Sequence, residues 1–478
     1  MAAQALLLGT RLDLLPLWDD ERYTLQTAAR PPAGIIEAVR VDVHPPLYYF
    51  LVHAWLKLPL AGDDLTRARA LSVILTLSAT LALYVLWLRQ LSLERRALFL
   101  ALWVSSPCLV LYARMARSYA FQLVLAVIAI RLAQDWLRRP GSIPAMARYA
   151  AAAAALLYTH YLPGLAVVAS TAALGLWRRQ WKQLAALAVI ALAYLPWIGT
   201  LASTAGLVST TKPYWLGANA AVENLLKLSY AFVAFNFGET ISPWAAAAAV
   251  LLLPAIAVAL WKAWTSQARP PALFLLVAAA GYFVAASWVS FAFVGARLLF
   301  LLPFYYLFLL RGIDPRRPAG AVALASLLLV ASAGLASYYR KQDFLNKGYL
   351  VDFQQLAQLV QEKSRGAPAL VLLDRHCSSA GYYLHWPGSP YRVELLDSGD
   401  ARRRALDRLH LERPSLVWRL QYSRTARDPH LEHELSNHYT AERYGFVPYS
   451  WLDRKALQVL GAGPPPDYVV EAIEFRRR

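Results

Sequence analysis

The chain has 478 residues, 58% of them hydrophobic, and its 48 Lys and Arg against 30 Asp and Glu give a formal net charge of +18. A soluble protein of this length is roughly half apolar, so the composition excludes an ordinary water-soluble globule and makes the bilayer the main solvent. The 16 Trp and 26 Tyr fit that reading, because their amphipathic rings settle where hydrocarbon meets headgroup.

In chain order, the first apolar run, Leu6-Leu7-Leu8, gives way to Arg11 and Asp13, which is not the pattern of a cleaved secretory signal. A loop over 10–65 follows. It holds Leu17-Trp18-Asp19-Asp20-Glu21-Arg22-Tyr23, three consecutive acids beside an aromatic, and then Asp42-Val43-His44-Pro45-Pro46-Leu47-Tyr48-Tyr49. Two readings of the acids stand side by side: solvated residues capping a helix at 23–29, or carboxylates near apolar surroundings suited to proton transfer. The Pro pair can start a helix but not continue one, so 50–58 reads as an interfacial helix. His44 is either a packing residue at its start or a binding residue.

Ten segments are apolar enough to span a bilayer, which takes ~20 residues of helix. They lie near 66–88, 97–113, 118–136, 146–159, 161–177, 183–201, 244–264, 272–294, 296–311 and 318–339. Every second connection is basic: Arg89, Arg95 and Arg96; Arg138, Arg139 and Arg148; Arg178, Arg179 and Lys182; Lys262 and Arg269; Arg311, Arg316 and Arg317. By the positive-inside rule these connections are cytoplasmic. Charge dealt out at helix ends, instead of gathered on one face, excludes nucleic acid as the partner. The loop 10–65, the loop 202–243 and everything after 340 then face outward.

From 341 the composition turns polar, with apolar runs at 369–374, 391–397, 415–420 and 468–475 and helix-compatible stretches at 353–363 and 401–411. That alternation predicts an extracytoplasmic α/β domain over 341–478, after a transmembrane domain over 1–340. Cys108 and Cys377 are far apart in unlike surroundings, so no disulfide is expected. In the tail only His430-x-x-His433 has a ligand-like spacing, and its histidines read as surface residues. The aromatic and polar groups of Lys212–Trp215 and Phe235–Glu239 read as interfacial-loop composition.

Several motifs in order carry a resemblance. Asp20-Glu21 in the first outer loop, Asp42-x-His44-Pro45-Pro46-Leu47-Tyr48-Tyr49, Tyr112-Ala113-Arg114-x-x-Arg117-Ser118-Tyr119, Tyr158-Thr159-His160-Tyr161 and Arg297 opening a helix together resemble bacterial membrane glycosyltransferases of the GT-C superfamily. The branch is the one similar to protein O-mannosyltransferases and the aminoarabinose transferase. The resemblance covers about 10–340 and implies a polytopic α-helical fold, a polyprenyl-phosphate sugar donor and no metal requirement. Two departures stand out. Relatives of that kind carry a complete first membrane helix before the acid pair, where only Ala5–Gly9 could be its end here, a pattern expected of a truncated gene start. They also carry Lys-Pro-Pro where this chain has His44-Pro45-Pro46.

Arg114, Arg117 and Arg297 fall at outer helix ends, against the positive-inside rule. Guanidinium groups there suit a lipid-linked phosphate, through paired charge-assisted hydrogen bonds, or else snorkelling to headgroups or pairing with Asp20 and Glu21. The expected reaction is transfer with inversion. Asp20 is the general base on an acceptor hydroxyl, and Glu21, Asp42, His44, Arg114, Arg117, Tyr119, His160 and Arg297 bind donor or acceptor. The expected partners are the bilayer, a polyprenyl-phosphate sugar and an envelope lipid, glycan or protein, at the outer face of a bacterial inner membrane. A divalent metal could find ligands among Asp20, Glu21, Asp42 and His44, but no compact zinc or EF-hand spacing occurs, and metal independence is the expectation. The rival class is a transporter or a flippase for lipid-linked sugars, which would more often carry inverted repeats and helices broken at midplane.

Overall fold

The computed structural model describes all residues except 43, 140, 209–219, 266–294, 343, 424, 426–427, 460 and 462–468. The expected span 272–294 and the Lys212–Trp215 element lie outside the described residues. The chain divides into two compact units. One comprises Met1–Leu12 with Thr24–Arg340, the other Asp13–Tyr23 with Lys341–Arg478.

The first unit is helical. It contains α1 (Ala2–Gly9), most of α2 (Asp19–Ala28), α3 (Pro32–Arg40), α4 (Leu47–Leu56), α5 (Asp64–Leu83), α6 (Leu93–Ser105), α7 (Pro107–Ala113), α8 (Tyr119–Arg138), α9 (Ile143–Thr159), α10 (Tyr161–Trp177), α11 (Gln183–Val208), α12 (Ala220–Phe237), α13 (Pro243–Ala249), α14 (Leu253–Thr265), α15 (Leu302–Gly312) and α16 (Pro318–Arg340). Among the described residues six helical segments are long and apolar enough to cross a membrane: Asp64–Leu88, Tyr119–Arg138, Leu184–Ser203, Pro243–Thr265, Gly295–Gly312 and Pro318–Arg340. They match six of the ten expected spans.

The span expected at 97–113 is a pair of helices, α6 and α7, that together are long and apolar enough to cross a membrane. The chain bends by 55° between α6 and α7, because Pro107 has no N–H to continue α6 and instead opens α7 behind the Ser106 cap. The spans expected at 146–159 and 161–177 are helices of 17 residues each, α9 and α10, separated by the extended His160. The segment expected at 296–311 begins with 3-10 turns over Gly295–Leu301, since Pro303 removes a donor from the first turn of α15. Pro243–Thr265 has 17% of its apolar window buried within the protein, whereas Gly295–Gly312 has 67%. The former therefore presents hydrocarbon to lipid and the latter sits in the helical core. The helix expected at 50–58 starts at Leu47, directly after the Pro pair.

The second unit is an α/β domain with α17 (Phe353–Ser364), β1 (Ala369–Asp374), α18 (Ser378–Leu384), β2 (Tyr391–Leu396), α19 (Gly399–Glu412), β3 (Leu416–Tyr422), α20 (Pro429–His438), β4 (Tyr439–Phe446), α21 (Trp451–Val459) and β5 (Val470–Arg477). The sheet order is β2-β1-β3-β5-β4. β2, β1 and β3 run parallel, and β5 pairs antiparallel with β3 and β4. Side chains alternate between faces with period two. Val371, Leu373, Trp418 and Leu420 pack against Phe353, Leu356 and Val360 of α17 and Ala380 and Leu384 of α18. Leu370, Leu372, Val417, Ile473 and Phe475 pack against Ala405, Leu409, Leu431 and Leu435 of α19 and α20. Helices on both faces explain why β1 and β3 read as nearly unbroken apolar runs. Both cysteines are buried free thiols.

Candidate active site

The acids do not lie in a loop before a helix at 23–29; they form the first turn of α2. Asp19, Asp20 and Glu21 occupy its first three positions, where negative charge is favoured by the helix dipole. Glu21 is buried, and its Oε2 accepts the Trp18 N–H at 3.2 Å, half of a capping box. Asp19 Oδ1 accepts from the hydroxyls of Ser378 at 3.0 Å and Ser379 at 2.5 Å, at the start of α18. The Leu17 N–H donates to Tyr383 Oη at 3.0 Å, and the Trp18 ring stands edge-on to Tyr349 at 5.4 Å. Residues 13–23 are thereby part of the α/β unit, and the boundary between the units falls inside α2.

Within the helical unit the structure brings together Thr24, Asp42, His44, Arg117 and His160. His44 Nδ1 lies 3.0 Å from Asp42 Oδ2, and His44 Nε2 lies 3.2 Å from Arg117 Nη2. A guanidinium can only donate, so Nε2 must accept, which fixes the proton on Nδ1 and directs it to the Asp42 carboxylate. Arg117 Nη1 donates to Thr24 Oγ1 at 3.3 Å. The His44 and His160 rings meet edge to face at 5.3 Å. His160 Nδ1 accepts the Leu162 N–H at 3.3 Å and so caps α10, leaving Nε2–H as its donor. Burial lowers the His160 pKa well below the usual histidine value, and the charges of Arg297 and Arg117 push it the same way. His160 is therefore a neutral donor at physiological pH, and Arg297 belongs electrostatically to the same cluster.

Arg114 is placed differently. Its Nη1 donates to Leu7 O at 3.1 Å and to Tyr339 Oη at 3.0 Å, its Nη2 donates to Arg11 O, and its guanidinium lies over the Tyr338 and Tyr339 rings at 5.2 and 5.3 Å. These contacts tie the N-terminal segment to the end of α16. Tyr119, which opens α8, packs its ring edge-on to Tyr112 at 5.3 Å.

One residue of consequence lies in the Phe235–Glu239 stretch, whose composition is that of an interfacial loop. Glu239 is fully buried and accepts from Tyr112 Oη, from Tyr230 Oη at 2.8 Å and from the Gly295 N–H at 3.1 Å. It joins the Tyr-Ala-Arg element to the turn that carries Arg297. The sequence signal was an acid directly after Gly238 inside an aromatic stretch. Gly238 has φ +79, and a Cβ there would come 2.6 Å from Pro107 Cβ. Gly238→Ala should thus destabilise the helical unit by at least ~1–2 kcal/mol from the left-handed backbone alone. A lowered unfolding temperature in detergent checks this. Among the described residues no three or more His, Cys, Asp or Glu gather as a metal-holding group.

No protein-family model matches the chain, and no curated protein matches it. Solved structures do. The chain is similar to ArnT from Cupriavidus metallidurans in the apo state, with 14% identity and a TM-score of 0.56, and to the same protein bound to undecaprenyl phosphate, with 15% identity and a TM-score of 0.55. Each comparison covers 98% of this chain and 96% of that chain. The shared fold is a polytopic helical architecture followed by a C-terminal α/β domain.

Proposed function

We propose that this protein is an inverting glycosyltransferase, moving a sugar from a polyprenyl-phosphate donor to a hydroxyl of an envelope lipid, glycan or protein at the extracytoplasmic face of a bacterial inner membrane. The observation that carries this reading is the chain from buried Arg117 through half-buried His44 to Asp42, beside neutral His160, with Arg297 acting on the same histidine. Guanidinium groups held at membrane depth suit a lipid-linked phosphate. The shared fold with a protein crystallised with undecaprenyl phosphate supports the same donor class.

In the reaction, Asp20 takes the proton of the acceptor hydroxyl as its oxygen attacks the anomeric carbon. The bond from that carbon to the phosphate oxygen breaks, and polyprenyl phosphate leaves with its electron pair. Arg117 and Arg297 stabilise the charge growing on the phosphate, and the His160 Nε2–H is a donor to a sugar or phosphate oxygen. Glu21 serves the helix cap, Asp42 orients His44, Arg114 anchors the N-terminal segment and Tyr119 packs. No metal is needed for these steps.

The test is incubation of purified protein with radiolabelled polyprenyl-phosphate sugars and envelope extracts. Donor consumption with label passing to an acceptor supports the reading; donor that crosses the bilayer unconsumed makes the protein a flippase. A second expectation concerns Asp19. Ser378→Ala with Ser379→Ala removes two charge-assisted hydrogen bonds, each worth about 1.5–3 kcal/mol. Amide exchange over 17–23 should rise and turnover should fall about tenfold or more, while the Ser→Thr pair retains both.

A further inference from the structure

At the other end of the helical unit lies a cavity of about 390 Å³ walled by the stretch that follows α5, the start of α6, α8, α10 and α15, within the size range of small-molecule sites. Its inner wall is apolar, with Trp87, Leu174, Phe304 and Phe308, and five arginines line it: Arg95, Arg131, Arg138, Arg178 and Arg311. Among the described residues Asp135 pairs with two of them, 3.5 Å from Arg131 and 4.0 Å from Arg138. Among the described residues that sets five cations against one paired anion, a large imbalance for a concave site beside hydrocarbon.

The wall is specially built. α5 leaves α-helical geometry here and continues as π-helix over Tyr84–Leu88, a departure that is rare and often found at functional sites. Leu86 and Trp87 of that stretch line the cavity. The Leu86 carbonyl accepts from Arg131 Nη1 at 3.3 Å, the Trp87 indole N–H donates to Val127 O at 3.3 Å, and the Trp87 ring stands edge-on to Phe304 at 5.0 Å. The widened turn thus fixes both a guanidinium and the aromatic wall.

We infer that this cavity binds an anionic phospholipid of the bilayer, its phosphate among the five guanidiniums and an acyl chain along Trp87, Phe304 and Phe308. Charge complementarity selects the occupant. A headgroup carrying phosphate and no ammonium matches an uncompensated cationic rim, whereas a zwitterionic one brings its own cation against it. The polyprenyl donor is not the occupant. Arg117 precedes α8 and Arg138 ends it, so the 20 residues of α8 separate the two sites by about 30 Å, one hydrocarbon thickness. This inference stands whether or not the chain transfers sugars.

The experiment measures lipid retained by the full-length protein in mild detergent, by native mass spectrometry, after exposure to phosphatidylglycerol, cardiolipin, phosphatidylcholine or polyprenyl phosphate. One anionic glycerophospholipid should be held saturably and resist phosphatidylcholine in excess. The combined Arg131→Gln, Arg178→Gln and Arg311→Gln variant should hold it at least ~10-fold more weakly, the scale expected for three lost cationic contacts. Equal retention of phosphatidylcholine, unchanged binding in the triple variant, or displacement by polyprenyl phosphate overturns the assignment. Because that variant can fail to fold, wild-type protein is also labelled with photoactivatable phosphatidylglycerol. Adducts on 86–95 and 304–311 support the site, and adducts confined to other segments refute it.

Discussion

Asp20→Asn should lower transfer by about 10²–10⁴-fold, the usual contribution of a positioned general base, while expression and membrane insertion stay at the level of the parent. The asparagine keeps shape and hydrogen-bonding capacity and cannot take the proton. Its neighbour gives the control. Glu21→Gln retains an oxygen for the Trp18 N–H, so it should leave most of the activity in place; Glu21→Ala should lose the cap and about 1 kcal/mol of stability. The pair separates chemistry from helix capping in a run where sequence spacing cannot. Arg117→Ala belongs to the same experiment. It removes a guanidinium held by His44 and Thr24, with an expected loss near 2.7–4 kcal/mol in the transfer step. Arg114→Ala should instead loosen the N-terminal segment, which then keeps only the Tyr339 Oη bond to Leu7 O among these contacts. Full activity in Asp20→Asn would remove that carboxylate from the mechanism.

Legibility in the sequence followed local physics. The motif Asp42-x-His44-Pro45-Pro46 could be read because the Pro pair fixes where α4 begins, which holds the imidazole and carboxylate in one short turn. Arg114 and Arg117 could not be ranked from sequence, since they are three residues apart in one turn. What separates them is tertiary: Leu7, Arg11 and Tyr339 occupy the first, Thr24 and His44 meet the second. Glu239 was missed because its partners, Tyr112 and Gly295, are distant in the chain. In the tail, strands covered on both faces announced themselves as apolar runs. β4 did not, because an edge strand reading Tyr-Thr-Ala-Glu-Arg-Tyr-Gly-Phe carries the charge that keeps sheet edges from pairing with other chains. The Ser378 and Ser379 contacts to Asp19 had no local signal at all.

The largest stability effect should come from Asp453→Ala in the α/β unit. Lys347 Nζ lies 2.5 Å from Asp453 Oδ2, with the two side chains 6% and 7% exposed, and the ammonium also lies over the Tyr449 ring at 5.5 Å. Asp453 has a second duty. Its Oδ2 accepts the Ser450 N–H at 3.2 Å while its own N–H donates to Ser450 Oγ at 3.1 Å, a complete capping box at the start of α21. Alanine therefore leaves a buried ammonium without its counter-charge, about 3–5 kcal/mol, and opens the helix cap for roughly 1 kcal/mol more. Asp453→Asn keeps the cap and should fall between. The paired replacement Lys347→Met with Asp453→Leu removes both charges together and should recover most of the loss, because neither partner is then stranded. Hydrogen exchange across 347–350 and 451–459 of the full chain reads this directly. Protection lost in Asp453→Ala and largely restored in the double variant identifies desolvated charge as the cause; equal loss in both would assign the effect to packing at the α21 start.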